Sequence, residues 1–227
     1  MKRTLMMIGL SALASPAMAN IGQDGSVRFT GLPYGGRNGG GEFKMVALTG
    51  YDFGTFNTFC LELNEQVAVG QDYTYDINTA AVDGGAGGPS PDPLDARTAA
   101  LYEAFVRGTL DHYDYDDSGD GGLGSDMDRK LTAAALQAAI WEIEEERTIE
   151  QTDSDSRVRD LANYYVDTLA QQLVNDGLGG MVRVLNLWDS SGGNAQDMLV
   201  LIPLPSAGAL AGLGLAGLAI RRRRLSN

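Results

Sequence analysis

The sequence is poor in cysteine, and Cys60 is the only one in 227 residues. A single thiol cannot form a disulfide within its own chain, which excludes a fold stabilised by internal disulfides. Three roles remain open for it: an inert buried side chain, a disulfide with another chain, or a chemically committed group. The third role requires a reaction partner elsewhere in the sequence.

Histidine is equally scarce, and basic residues are few. His112 is the only histidine, and because it lies in an acidic segment without a recognisable partner motif, a Cys60/His112 hydrolase is the least favoured interpretation. The chain has 17 basic and 30 acidic residues, and without the terminal segments the balance is 11 against 30. Such an acidic surface repels phosphate groups, so nucleic acid and anionic membranes are excluded as expected partners.

Long hydrophobic runs are also missing, and the two short ones lie near the ends of the chain. Residues 5–14 are apolar, follow two basic residues and precede an Ala-x-Ala site at residues 17–19. This order is typical of a secretory signal peptide. We therefore predict export, with a signal peptide over residues 1–19 and cleavage before Asn20.

The second apolar run, residues 207–220, is shorter than the roughly 20 residues of a stable membrane span. It follows Pro203-Leu204-Pro205 and precedes four arginines, which the positive-inside rule places in the cytoplasm. This tail resembles the PEP-CTERM class of sorting signals, with Leu204 in place of the usual glutamate. The resemblance implies processing by an exosortase-type protease, transient insertion into the inner membrane, and delivery to the surface or extracellular matrix of a Gram-negative cell. A lasting C-terminal anchor is the alternative.

Between the two ends, the period of the apolar residues changes from two to that of a helix. Alternating segments separated by glycine-rich turns predict strands over residues 27–30, 43–48, 55–63 and 73–82. After a Gly/Pro-rich segment, helical spacing predicts helices over residues 94–110, 130–147 and 156–174. Two further strands are predicted over residues 182–188 and 198–202.

This order of elements predicts an α+β fold in a single domain. We expect a β-sandwich or barrel-like strand region with an inserted helical subdomain. The predicted domain spans residues 20–201, between the signal peptide and a sorting segment over residues 202–227.

Cys60 lies in the predicted strand over residues 55–63. Alternation places Phe59, Leu61 and Leu63 on one face of this strand and Cys60 on the other, together with Phe56, Thr58 and Glu62. Cys60 is therefore expected away from the uniformly apolar face, although free cysteines are commonly buried. Strand geometry alone leaves the inert and the reactive roles equally open.

Gln137 is a lone amide within the apolar stretch of residues 133–141. Burying an amide without partners costs about 1–3 kcal/mol, so neighbouring groups must satisfy it or a reaction must consume it. If the Cys60 thiolate attacks the amide carbon, ammonia leaves and an acyl thioester joins the two side chains. The simpler alternative is that Gln137 caps a neighbouring strand while Cys60 is inert.

Two short segments, Phe59-Cys60-Leu61-Glu62 and Leu136-Gln137-Ala138-Ala139-Ile140-Trp141, resemble the signature segments of bacterial thioester domains. Those surface adhesin modules carry an internal thioester between cysteine and glutamine and bind surfaces covalently. In this chain Leu61 replaces a frequent tyrosine, and Leu136 replaces the threonine that commonly precedes the glutamine.

The resemblance implies that Cys60 and Gln137 form the cross-link and that an amine on an unidentified surface or matrix ligand is the partner. Such binding occurs once per molecule, so the chain is not expected to be an enzyme, and no cofactor is predicted. The alternative is a noncovalent structural or biofilm-matrix protein of the envelope, with the same fold and an inert thiol.

An acidic segment within residues 111–128 resembles the first half of a calcium-binding loop. The pattern Asp-x-Ser-x-Asp-Gly begins at Asp116, and a shifted register begins at Asp114. Neither register ends in glutamate, because its twelfth position is Met127 or Ser125. A solvated acidic loop is therefore favoured, and no metal site is predicted.

Overall fold

The computed structural model describes residues 22–37, 39–84, 88–124 and 126–202. The strands are β1 (Gly25–Arg37), β2 (Gly40–Thr49), β3 (Thr55–Thr58), β4 (Asp72–Asn78), β5 (Ala80–Ala81), β6 (Asp92–Pro93), β7 (Val182–Trp188) and β8 (Met198–Leu201). Six of them form one antiparallel sheet in the order β3-β2-β1-β4-β7-β8, and β5 pairs with β6. The four strands β1 to β4 precede the helices in the sequence, and β7 and β8 follow the helices and complete the same sheet.

The helices lie between the two groups of strands in sequence. They are α1 (Ala96–Val106), α2 (Arg129–Ile143), α3 (Ile149–Thr152), α4 (Ser156–Tyr164), a π-helical turn (Tyr165–Leu169) and α5 (Ala170–Asn175). Asp95, Asp128 and Asp155 cap α1, α2 and α4, because each carboxylate accepts a backbone N–H of the first turn. The three predicted helices are confirmed to within a few residues, and the third contains the π-helical turn.

Two apolar clusters form the core, one on each side of the sheet. Residues of α1, α2 and α4 pack against one face, to which β7 contributes Val182 and Val184. The opposite face holds a second cluster, to which β7 contributes Leu185 and Leu187. We call the cluster beneath the helices the helix-side cluster and the other one the second cluster. Because side chains along a strand point alternately to the two faces of the sheet, each strand contributes to both clusters.

The predicted α+β single domain is confirmed, and the structure corrects the shape of its strand region. Within the described residues the main sheet is open and is not a closed barrel. Its two edge strands approach each other where residues 59–61 pair with residues 197–199, a contact that we call the seam. There Cys60 forms a single antiparallel bridge with Met198, and the Leu61 N–H donates to the Asp197 carbonyl at 3.0 Å.

Two predicted strands are shorter than expected. The strand predicted over residues 55–63 ends at Thr58, and the chain beyond it contributes the seam instead of a full strand. The strand predicted over residues 73–82 divides into β4 and β5. In both places pairing with a distant segment decides where the strand ends, which local alternation does not reveal.

The predicted signal peptide over residues 1–19 lies outside the described residues, as does all but Ile202 of the predicted sorting segment. Within the described ranges, the structure contains no helix with the length and apolar character needed to cross a bilayer.

Candidate functional site

Cys60 lies at the seam, directly after Phe59 and opposite Met198. Phe59 and Leu61 belong to the helix-side cluster, as the predicted alternation requires, whereas Leu63, predicted on the same face, is exposed. Cys60 lies on the opposite face, as predicted, but that face is apolar as well, because the Cys60 side chain is 3% exposed within the second cluster, which also contains Trp141. This burial raises the pKa of the Cys60 thiol well above its usual value, since the apolar surroundings disfavour a thiolate.

Gln137 lies in the middle of α2, whose surface is buried almost all round. Its side-chain amide contacts the backbone of Cys60 through two hydrogen bonds. The Cys60 N–H donates to Gln137 Oε1 at 3.1 Å, and Gln137 Nε2 donates to the Cys60 carbonyl at 2.9 Å. Two residues that are 77 positions apart in sequence therefore meet directly.

This pair of hydrogen bonds satisfies the buried amide, as the simpler interpretation of Gln137 as a strand cap expects. It also has a chemical consequence for the amide carbonyl group. A backbone N–H directed at a carbonyl oxygen stabilises the negative charge that develops there when a nucleophile adds to the carbon. The Cys60 N–H occupies this position relative to Gln137 Oε1.

Two further residues shape the surroundings of Gln137. A Cβ atom on Gly40 would lie 2.4 Å from Gln137 Cγ and 2.7 Å from the Trp141 ring, so only glycine allows β2 to approach α2 this closely. Trp141, one helical turn after Gln137, is 2% exposed, and its indole N–H has no acceptor among the described residues. The sequence contains no signal for Gly40, because it belongs to a glycine-rich segment that predicts a turn, whereas the structure makes it the first residue of β2.

A buried ion pair fixes the start of α2 against β2. Glu42 is fully buried and accepts hydrogen bonds from Arg129 Nη2 at 2.7 Å and from the Tyr113 hydroxyl at 2.8 Å. Asn57 of β3 also donates to this carboxylate. The guanidinium of Arg129 lies 4.6 Å from the centre of the Tyr34 ring. The helix that carries Gln137 is thus held in place by charged groups that sequence reasoning missed.

The acidic loop gathers three carboxylates, those of Asp114, Asp116 and Asp120, with oxygens within 4.8 Å of one another. Asp114 is buried and already accepts the N–H groups of Ser118 at 3.2 Å and Gly119 at 2.8 Å. Met127, the twelfth position of one register, is buried in the helix-side cluster. Ser125, the twelfth position of the other register, lies outside the described residues.

His112 lies in the same loop. Its imidazole is 3.5 Å from the Asp111 carboxylate and 5.4 Å, between ring centres, from Tyr164. Cys60 is buried at the seam, and no interaction among the described residues links it to His112. The structure therefore gives no support to a Cys60/His112 pair.

The structure thus brings Cys60 and Gln137 together and leaves His112 with other partners. No protein-family model, curated protein or solved structure matches this chain.

Proposed function

We propose that this protein is an exported surface or matrix module that binds amine nucleophiles covalently through a thioester between Cys60 and Gln137. The observation that carries the proposal is the direct contact between the Gln137 amide and the Cys60 backbone, at 2.9 and 3.1 Å. The scarcity of cysteine and the resemblance of the two segments to thioester domains point to the same pair. Export and exosortase processing belong to the proposal and rest on the two chain ends.

Thioester formation needs no external reagent. The Cys60 sulfur forms a bond to Gln137 Cδ, the C–N bond breaks, and the thiol proton leaves with the amide nitrogen as ammonia. The Cys60 N–H stabilises the oxygen charge of the tetrahedral intermediate. An incoming amine then forms a bond to Cδ, the C–S bond breaks, and a proton from the amine returns to the sulfur.

The burial of Cys60 and Gln137 would protect a thioester between them from hydrolysis. Cys60 is 3% exposed and Gln137 is 1% exposed, so bulk water has little access to the carbonyl carbon. The same burial requires a local opening before an amine on a large partner reaches Gln137. The product is a substituted amide at Gln137 and a free thiol at Cys60, which makes the binding a single event without turnover.

The alternative function is a noncovalent structural or biofilm-matrix protein with the same fold. Two observations favour it: the Gln137 amide has hydrogen-bond partners, and the raised pKa of the Cys60 thiol disfavours the nucleophilic thiolate. In this case the amide serves to tie α2 to the seam. The two functions differ in one covalent bond, which mass spectrometry detects.

The deciding experiment is the intact mass of the protein purified from the envelope or culture medium. A thioester lowers the mass by one ammonia, and Cys60→Ala and Gln137→Ala should each restore the calculated mass. Incubation with methylamine should add one methylamine to the wild type and expose one titratable thiol. The same spectra test cleavage after residue 19 and near Pro205.

Gln196→Ala is the matched control, because Gln196 is also buried and donates a side-chain hydrogen bond to a backbone carbonyl, that of Glu62. This variant should still lack one ammonia. A wild type at its full calculated mass that takes up no methylamine would refute the thioester and leave the structural function.

A further inference from the structure

Three carboxylates converge beside the seam. Glu62 and Glu65 follow Cys60 in the chain, and Asp197 immediately precedes β8. One oxygen from each lies within 4.8 Å of the other two. The Asp197 backbone carbonyl also accepts the Leu61 N–H at 3.0 Å, so the cluster and the Cys60 backbone share the same short stretch of chain.

Glu62 and Asp197 are buried, Glu65 is partly buried, and few hydrogen-bond donors reach the three carboxylates. Glu62 is 2% exposed, and among the described residues no backbone N–H and no amide, hydroxyl or cationic side chain donates to its carboxylate, which lies beside the carboxyl group of Glu65. Glu65 Oε2 and Asp197 Oδ1 also lack such a donor, although Asn194 reaches the other oxygen of Glu65 and the Val82 N–H reaches that of Asp197. No lysine or arginine within the described ranges forms an ion pair with the three residues, so their charge is uncompensated there.

Uncompensated buried carboxylates are costly, and a bound cation is one of the ways in which proteins stabilise them, besides ion pairs and protonation. Either a cation or shared protons must neutralise the cluster. The two possibilities differ in what the purified protein binds.

We propose that Glu62, Glu65 and Asp197 form a calcium-binding site at the seam. All three side chains offer oxygen, the ligand type that Ca²⁺ prefers, and Ca²⁺ lies about 2.3–2.6 Å from its ligands. Oxygens on opposite sides of such an ion are about 4.8 Å apart, so three oxygens that all lie within 4.8 Å of one another can share a single coordination sphere. Mg²⁺ requires shorter bonds and near-ideal octahedral geometry, and Zn²⁺ favours nitrogen and sulfur ligands.

The ion would connect the segment after Cys60 to the start of β8, where the edges of the sheet meet at a single bridge. Ca²⁺ takes six to eight ligands, so water or backbone carbonyls would supply the rest. Glu65 is only partly buried, which gives the ion a route from solvent. Calcium binding would therefore stabilise the seam whether or not Cys60 and Gln137 react.

The test is isothermal titration of the purified, chelator-treated protein with CaCl₂, accompanied by thermal unfolding. We expect one ion per chain, with a dissociation constant at or below about 1 mM. At a free Ca²⁺ concentration ten times this constant, the melting temperature should rise by about 3–6 °C. Glu62→Gln and Asp197→Asn should each weaken binding at least tenfold.

Glu62→Gln also separates a calcium ligand from a merely structural residue. It removes a buried charge, so without Ca²⁺ the variant should be as stable as the wild type or more stable, while its gain in melting temperature with Ca²⁺ should be lost. Asp116→Asn is the matched control, because it removes one carboxylate from the other acidic cluster and should leave binding at the seam unchanged.

The proposal is overturned if Ca²⁺ gives neither heat nor a thermal shift, which would indicate that shared protons neutralise the cluster. It is also overturned if Asp116→Asn abolishes binding while Glu62→Gln does not. Cys60→Ala should retain calcium binding, and Glu62→Gln should retain the ammonia deficit. Failure of the calcium site and failure of the thioester are therefore separately visible.

Discussion

At the scale of single residues, Gly40 sets how closely β2 approaches α2. A methyl group there would lie far inside van der Waals distance of Gln137 and Trp141. Gly40→Ala should therefore lower the free energy of unfolding by about 1–3 kcal/mol, because both side chains must leave their preferred positions. Urea unfolding measures the loss, and intact mass reports whether Gln137 still reaches Cys60.

Gly31→Ala is the control for this substitution, because a Cβ on Gly31 of β1 meets no atom within 4 Å. Its free energy of unfolding should change by no more than about 0.5 kcal/mol. Equal losses in the two variants would show that a general effect of alanine in the sheet, and not contact with Gln137, is responsible.

The predicted pair of Cys60 and Gln137 came from their scarcity: one thiol in the chain and one amide in an apolar helix. The sequence could not predict that the second face of the Cys60 strand is also apolar, because this depends on the sheet curling around a second cluster. It also gave no sign that Glu62 meets Asp197, since the two residues lie far apart in sequence.

At the scale of elements, the Glu42–Arg129 pair holds α2 against β2. Glu42 is fully buried and Arg129 mostly so, with a closest approach of 2.7 Å. Arg129→Met should lower the free energy of unfolding by about 3–5 kcal/mol, because it leaves the Glu42 carboxylate buried without its counter-charge. Chemical denaturation measures the change, and the double variant Glu42→Gln/Arg129→Met should recover much of the loss.

Arg28→Met provides the comparison at an exposed ion pair, since Arg28 and Asp72 are each about half exposed. The cost there should stay within about 1 kcal/mol, because solvent screens both charges. If Arg129→Met is equally mild, the Glu42 network does not anchor the helix.

The helix boundaries were predicted to within a few residues from apolar periodicity, which is a local property, whereas β1 runs from Gly25 to Arg37 and is longer than the predicted strand over residues 27–30. Asp95, Asp128 and Asp155 immediately precede the helices that they cap. The π-helical turn within the third predicted helix was not foreseen, and the early end of β3 was missed as well. Both depend on packing against other elements, which helical or strand periodicity does not encode.

At the scale of the whole molecule, the proposed thioester would join the seam to the helical layer. The cross-link would close a loop between positions 77 residues apart. In the chain-entropy treatment of cross-links, such a loop contributes about 4.5 kcal/mol to stability. Opening it with methylamine should lower the free energy of unfolding of the wild type by up to about this amount, measured in urea.

Cys60→Ala lacks the cross-link and should be unaffected by methylamine in the same assay. A wild type that takes up methylamine by mass without any loss of stability would contradict the structural role of the cross-link while leaving the chemistry intact.

The sequence by itself determined the α+β class, the order of strands and helices, and the two residues of the candidate site, because periodicity, caps and rare residues are local properties. Only the tertiary structure decided that the sheet stays open with its edges meeting at Cys60. It also decided that Gln137 reaches the Cys60 backbone and that Glu62, Glu65 and Asp197 share one buried position. These features depend on which distant segments pair and how the sheet curves, and the free energy of that pairing comes from burial across the whole core.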